Sequence, residues 1–254
     1  MEHGLELTPG ELANLIYDNY WNYIKKSYII VGDDKETAQL YKISSKVARH
    51  NYDLERFQLD DNGYMSYSDD KIKHAKLGID VSSHQGSIDW ETVKEAGIKF
   101  AMIRLGYRGY TQGGLALDDG YVTNIETALE AEMPVGVYFY TQAVSYDEGV
   151  EEAQYVLQNI AGYKISYPVV IDTEKMEAEG ARANDISNEE RTDAIVGFCE
   201  TIKGAGYTPM IYANRNWYAQ NLDMDRLGDY QLWLAQYSNA VSYTHLRAHE
   251  TLMN

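Results

Sequence analysis

The sequence predicts an α/β protein built on a parallel sheet or barrel, on three observations. Short apolar, β-rich runs recur from residue 77 onward. Segments of helical period separate them. The runs are near-continuously apolar, as parallel strands covered on both faces should be. A length of 254 residues suits one barrel of about 250, or two smaller domains.

Residues 1–76 come first and read as a mainly helical segment followed by a linker. Glu11-Leu12-Ala13-Asn14-Leu15-Ile16-Tyr17 and Tyr20-Trp21-Asn22-Tyr23-Ile24 space their apolar residues by three or four. Asp60-Asp61-Asn62-Gly63 and Ser68-Asp69-Asp70 are turn-forming. Six strand runs follow: Leu77–Ser83, Phe100–Tyr107, Pro134–Tyr140, Tyr167–Glu174, Thr208–Asn214 and Gln231–Tyr237. Between them, Ser145-Tyr146-Asp147-Glu148 and Ser187-Asn188-Glu189-Glu190 are S-x-x-E capping boxes. The helix opened by the second should close at Gly204-Ala205-Gly206, where glycine can take the left-handed cap. Strand and helix alternating this regularly argue for right-handed parallel units.

Composition removes several function classes. With 44 % hydrophobic and 24 % charged residues the chain is not of disordered composition. A net charge of −17 argues against a nucleic-acid partner, since phosphate is read by clustered Lys and Arg. Of that charge, −14 falls on residues 77–241. The single Cys199 cannot form an internal disulfide and sits among apolar neighbours, as a core residue would. No apolar run reaches the roughly 18 residues of a membrane span, and no signal peptide is visible.

In parallel α/β folds functional groups gather at the C-terminal ends of strands. There stand Asp80, Asp172 and Glu174. Asp172 and Glu174 are two apart on one strand and so share a face. Asp80, from another strand end, can face them. Carboxyls crowded in a desolvated pocket shift their pKa values apart, so that one stays protonated as a general acid; glycosidic cleavage uses such pairs. Tyr138, Tyr140, Tyr212, Trp233 and Tyr237 lie near the same strand ends, where aromatic faces suit sugar rings or simply fill a core. Gln236 stands beside Tyr237. Arg104, a charge inside an apolar strand, must pair, and one of these carboxylates is the expected partner. His245-Leu246-Arg247-Ala248-His249 lacks the Glu of a zinc helix and is not read as a metal site.

At these residues the chain resembles the family-25 glycoside hydrolases, lysozyme-like muramidases of bacteria and phages. The resemblance spans residues 77–241. It rests on Gly78-Ile79-Asp80-Val81-Ser82-Ser83-His84-Gln85-Gly86, Ile88-Asp89-Trp90, Phe100 to Arg104, Asp119 to Asn124, Pro134 to Tyr140, Val170-Ile171-Asp172-Thr173-Glu174, Ile211-Tyr212 and Leu232 to Tyr237. It implies an irregular, TIM-like (β/α) barrel that cleaves the β-1,4 bond between N-acetylmuramic acid and N-acetylglucosamine in peptidoglycan. Glu174 would be the general acid/base, with Asp172 and Asp80 in the same site. Asp172 would be either the nucleophile or the group that orients the substrate's acetamido arm. No metal or organic cofactor is implied. The implied partner is the peptidoglycan strand, met as a monomer outside the cell or in the wall. A chitinase-type signature would need Asp at Tyr167 and Val170, and fails at both.

The C-terminus departs from the family. Residues 242–254 read as translated sequencing-library adapter, so about six of eight strands are expected and the barrel would be incomplete. An unclosed barrel leaves strand edges unpaired, and the expectation is a chain that folds poorly or turns over slowly. Two other readings stay open: a non-catalytic peptidoglycan-binding module, and a glycosidase acting on another glycan.

Overall fold

A computed structural model describes the protein continuously over residues 75–235, and before them at residues 10, 14, 20, 27–31, 39–48, 52–53, 56–59, 61 and 64–68. In the leader, β1 (Tyr28–Val31) pairs antiparallel with β2 (Gln39–Lys42), and β3 (Phe57–Leu59) with β4 (Met65–Tyr67). Where residues 28–67 are described, the leader thus contains short strands that the mainly helical expectation did not include. These strands are three or four residues long, too short to display a period. Of the two segments that motivated the helical reading, Asn14 and Tyr20 are described and helical, as are Gly10 and Ser27 on either side; the other residues of those segments lie outside the described residues.

All six strands expected after residue 77 form. They are β5 (Gly78–Val81), β6 (Phe100–Arg108), β8 (Val135–Tyr140), β9 (Val169–Asp172), β10 (Pro209–Asn214) and β11 (Gln231–Ala235). The short β7 (Leu115–Leu117), absent from the sequence reading, pairs antiparallel with β6. The six pair in parallel in chain order, with β5 and β11 at the edges among the described residues. Among the described residues this is a curled parallel half-barrel sheet of six strands, consistent with a TIM-like fold.

Alternation along the strands divides the sheet into two faces. Ala101, Ile103 and Leu105 of β6, Val135, Val137 and Phe139 of β8, and Val169 and Ile171 of β9 join the core beneath the helices. Each of these valine, isoleucine, leucine and phenylalanine side chains contributes about 1.5–3 kcal/mol by leaving water. The opposite face carries a smaller apolar plug: Phe100, Met102, Val170, Met210 and Trp233, with Tyr138, Tyr167 and Tyr212 packed against it. Phe100 stacks on Tyr167 at 4.3 Å. Further toward the strands' C-terminal ends this inner face turns polar. Both faces are thus apolar over most of each strand, which explains the near-continuous runs.

The helices are α1 (Trp90–Glu95), α2 (Tyr121–Glu130), α3 (Tyr146–Ile160), α4 (Asn188–Gly204), α5 (Arg215–Gln220) and α6 (Met224–Leu227). Ser187 and Glu190 form the full capping box, and Gly206 takes φ +90° just past the helix end. The Ser145 box is only half made. Its hydroxyl accepts from Glu148 N, but the Glu148 carboxylate accepts from Val144 N and receives both Arg182 guanidinium nitrogens at 2.7 Å. A bidentate cation displaces the return bond.

The leader is packed onto the outside of the sheet. Ile43 and Val47 belong to the same hydrophobic core as the strands. Gln220 Nε2 donates to Tyr41 OH at 3.2 Å, and Ser44 Oγ donates to Asp225. Among the described residues no helix is long and apolar enough to cross a membrane. The tail from residue 242 lies outside the described residues, as do Gln236 and Tyr237.

Candidate active site

Asp172 ends β9, with Tyr140 of β8 and Tyr212 of β10 directly beside it in register. Its carbonyl accepts from Thr141 N at 2.9 Å. Thr173 is turned away: its N–H donates to Tyr212 O at 3.0 Å, and its hydroxyl accepts from Trp217 Nε1 at 3.1 Å. Glu174 therefore returns to the inner side. Asp80 comes from β5. Asp80, Asp172 and Glu174 all line one cavity of about 710 Å³ at the C-terminal ends of the strands. The three carboxyls named from the sequence are thus brought to one cavity.

The three differ in surroundings. Asp172 is buried, and among the described residues no group donates to its Oδ1. Burial raises its carboxyl well above the ordinary range; the charges of Glu174 and then Asp80 push the same way, and Arg104 pulls back. Burial also raises Glu174, which is half-buried. Asp80 is exposed to the cavity, yet the protein walls around it still raise its carboxyl against a hydrogen bond from its own backbone. Partial protonation is what a general acid requires.

The aromatic side chains named from sequence divide by exposure. Trp233 is 5 % exposed and belongs to the inner plug, edge-on to Tyr212 at 4.8 Å and to Tyr138 at 6.4 Å. Tyr138, Tyr140 and Tyr212 are half-buried and reach the cavity. Burial pushes the Tyr138 and Tyr140 phenols up, and neighbouring carboxylates add to it, so both stay hydrogen-bond donors.

Arg104 lines the cavity but is not paired as expected. Its partner is Asp118, with Nε to Oδ2 at 2.7 Å and Nη2 to Oδ2 at 2.5 Å. Asp118 also accepts from Ser83 N, Ser83 Oγ and Gly120 N at 2.8–3.0 Å. Burial works against its ionisation, but Arg104 and these donors hold it below the ordinary carboxylate range. Asp118 is thus a fixed anion that immobilises Arg104. Sequence reasoning missed it because it follows the three-residue strand β7. Among the described residues no three His, Cys, Asp or Glu side chains converge as a metal site; His245 and His249 lie outside them.

These carboxyls make the site a cost to the fold at neutral pH. Asp172 holds its proton more tightly folded than unfolded, so its contribution is intact below the unfolded value of about 3.9 and is lost as pH rises through the raised folded value. Asp172→Asn, which cannot ionise, should melt higher than the parent at pH 7, with the gain vanishing near pH 4. Melting curves at the two pH values check this; a variant less stable at both would refute it.

Comparison with known proteins places this geometry. Residues 79–251 match the family described as Glycosyl hydrolases family 25. The autolytic lysozyme of Clostridium acetobutylicum is 29 % identical over 160 residues, covering 63 % of this chain and 44 % of that protein. Lysozyme M1 of Streptomyces globisporus is 30 % identical over 145 residues, 56 % of this chain and 47 % of that one. The chain spans under half the length of these curated relatives. In structure it resembles the modular autolysin LytC of Streptococcus pneumoniae, solved with a synthetic peptidoglycan ligand. The TM-score is 0.60 at 26 % identity, over 74 % of this chain and 45 % of that one.

Proposed function

Because the chain belongs to glycosyl hydrolases family 25, we propose that its groove hydrolyses peptidoglycan at the β-1,4 bond between N-acetylmuramic acid and N-acetylglucosamine. The observation that carries this is the gathering of Asp80, Asp172 and Glu174 in one cavity at the strand ends. Glu174 is the general acid/base. Its half-buried carboxyl, raised by burial, keeps a proton for the leaving oxygen and then takes one from water. Asp172 meets the sugar on the inner side. Among the described residues its buried Oδ1 lacks a donor, and an acetamido N–H of the substrate would supply one, which supports the orienting role. Asp80 completes the negative field that favours an oxocarbenium-like transition state.

Tyr138, Tyr140, Tyr212 and Trp233 form the wall against which the sugars lie, with Arg104 held at the same wall by Asp118. Action on peptidoglycan puts the protein's work outside the cell or in the wall. The test is to incubate purified walls with the 254-residue protein and with Glu174→Gln. New reducing ends from the parent alone support hydrolysis. Binding to walls without release of ends would mark a non-catalytic wall-binding module instead.

A further inference from the structure

Strand β6 changes the side it presents partway along. Phe100 and Met102 belong to the inner plug and Arg104 lines the cavity, while Ala101, Ile103 and Leu105 face the helices. On that alternation Tyr107 would also point toward the helices. The register against β8 slips instead: Arg104 stands opposite Tyr138, but Gly106 stands opposite Phe139 and Tyr107 opposite Tyr140. Leu105 is the extra residue of a β-bulge, a device that re-aims side chains next to active sites. Glycine at 106 permits it, because a Cβ there would lie 2.2 Å from Ala116 O on β7. Tyr107 is thereby turned into the groove, and Arg108 returns to the helix side.

The hairpin beyond the bulge carries Tyr110 to the same groove. Tyr107 and Tyr110 are 40 % and 41 % exposed, unlike the plugged Trp233. Their backbone is firmly held. Gly109 N donates to Gly114 O at 2.8 Å, Arg108 Nη1 to Gly113 O at 2.7 Å, and Arg182 N to Tyr110 O at 2.9 Å. Two exposed rings on a fixed ledge lose little freedom when a ligand covers them.

We propose that Tyr107 and Tyr110 form a sugar-stacking subsite that takes a pyranose ring of the glycan strand beyond the pair being cleaved. The proposal rests on the glycan reading of the groove. A β-linked pyranose offers an apolar C–H face to a ring, and its hydroxyls and amide to the solvent and to the phenol tips. The ledge is continuous with the cavity that holds the carboxylates, so one extended strand can meet both.

The test uses the full 254-residue protein carrying Glu174→Gln, which holds wall glycan without cutting it, in sedimentation with insoluble purified peptidoglycan. Adding Tyr107→Ala or Tyr110→Ala should weaken binding about three- to tenfold each. Tyr→Phe at either position should stay within about twofold, because stacking survives loss of the hydroxyl. With Glu174 intact, the alanine variants should raise KM for wall glycan and leave kcat unchanged. Alanine variants that bind like the parent, or phenylalanine variants as weak as alanine, overturn the subsite alone. A parent that does not sediment with wall glycan overturns the glycan reading, and the subsite with it. Unchanged melting temperatures separate loss of binding from loss of fold.

Discussion

Glu174→Gln should abolish release of glycan ends while leaving the protein at least as stable as the parent. Glutamine keeps the size of the side chain but can neither give nor take the proton. General acid–base groups typically supply 10²–10⁴-fold in rate, so residual activity should fall by at least that factor. The gain in stability follows from the raised carboxyl at this position: at neutral pH the parent must either ionise a half-buried group or hold its proton at a cost. The parent's rate should persist above the ordinary carboxylate range and fall once pH passes the raised value of Glu174, since the protonated form is the acid. A pH–rate profile and a melting curve check both parts. Robust activity in Glu174→Gln would move the acid/base role to another residue.

Arg108→Met should cost the fold about 3–5 kcal/mol, the scale for removing one partner of a buried ion pair. Arg108 is 3 % exposed and Glu152 fully buried. The guanidinium donates from Nε to Glu152 Oε1 at 2.8 Å and from Nη2 to Glu151 Oε2 at 2.7 Å, and it also reaches Gly113 O and Glu148 O. Burial pushes the Glu152 carboxyl up to about 7, even though Thr141 and Arg108 pull it down. Among the described residues its Oε2 lacks a partner. Without Arg108 that carboxyl rises further and must stay protonated to remain buried. The raised folded value means its contribution is intact in acid and lost as pH climbs. The loss in Arg108→Met should therefore be smaller at pH 5 than at pH 8, and Arg108→Met with Glu152→Gln should recover part of it. Urea unfolding at the two pH values measures this. A loss below about 1 kcal/mol, or one independent of pH, would show that the network carries little of the fold.

The strands were legible because each combined an apolar outer row with an apolar inner plug, so continuous hydrophobic runs marked them clearly. Asp172 and Glu174 were legible for a related reason: a two-residue spacing after Val169-Val170-Ile171 settles which face they share. The partner of Arg104 was not legible, because Asp118 reaches it across a hairpin whose second strand has only three residues. The groove position of Tyr107 was hidden by the bulge at Leu105, which reverses the parity that strand reading depends on. The strand pairs of the leader were too short to show a period, and the single Ser145 cap did not reveal that Arg182 would claim Glu148. Pairing over long sequence separations, rather than local propensity, accounts for these differences.

Reduction of the digested wall with borohydride, followed by identification of the reduced sugar, decides what this groove does. Cleavage between N-acetylmuramic acid and N-acetylglucosamine by Glu174 and its neighbours should yield reduced muramic acid as the new end, from the parent and not from Glu174→Gln. Reduced glucosamine ends, or muramic acid ends released equally by both proteins, would overturn the assignment of bond and residue.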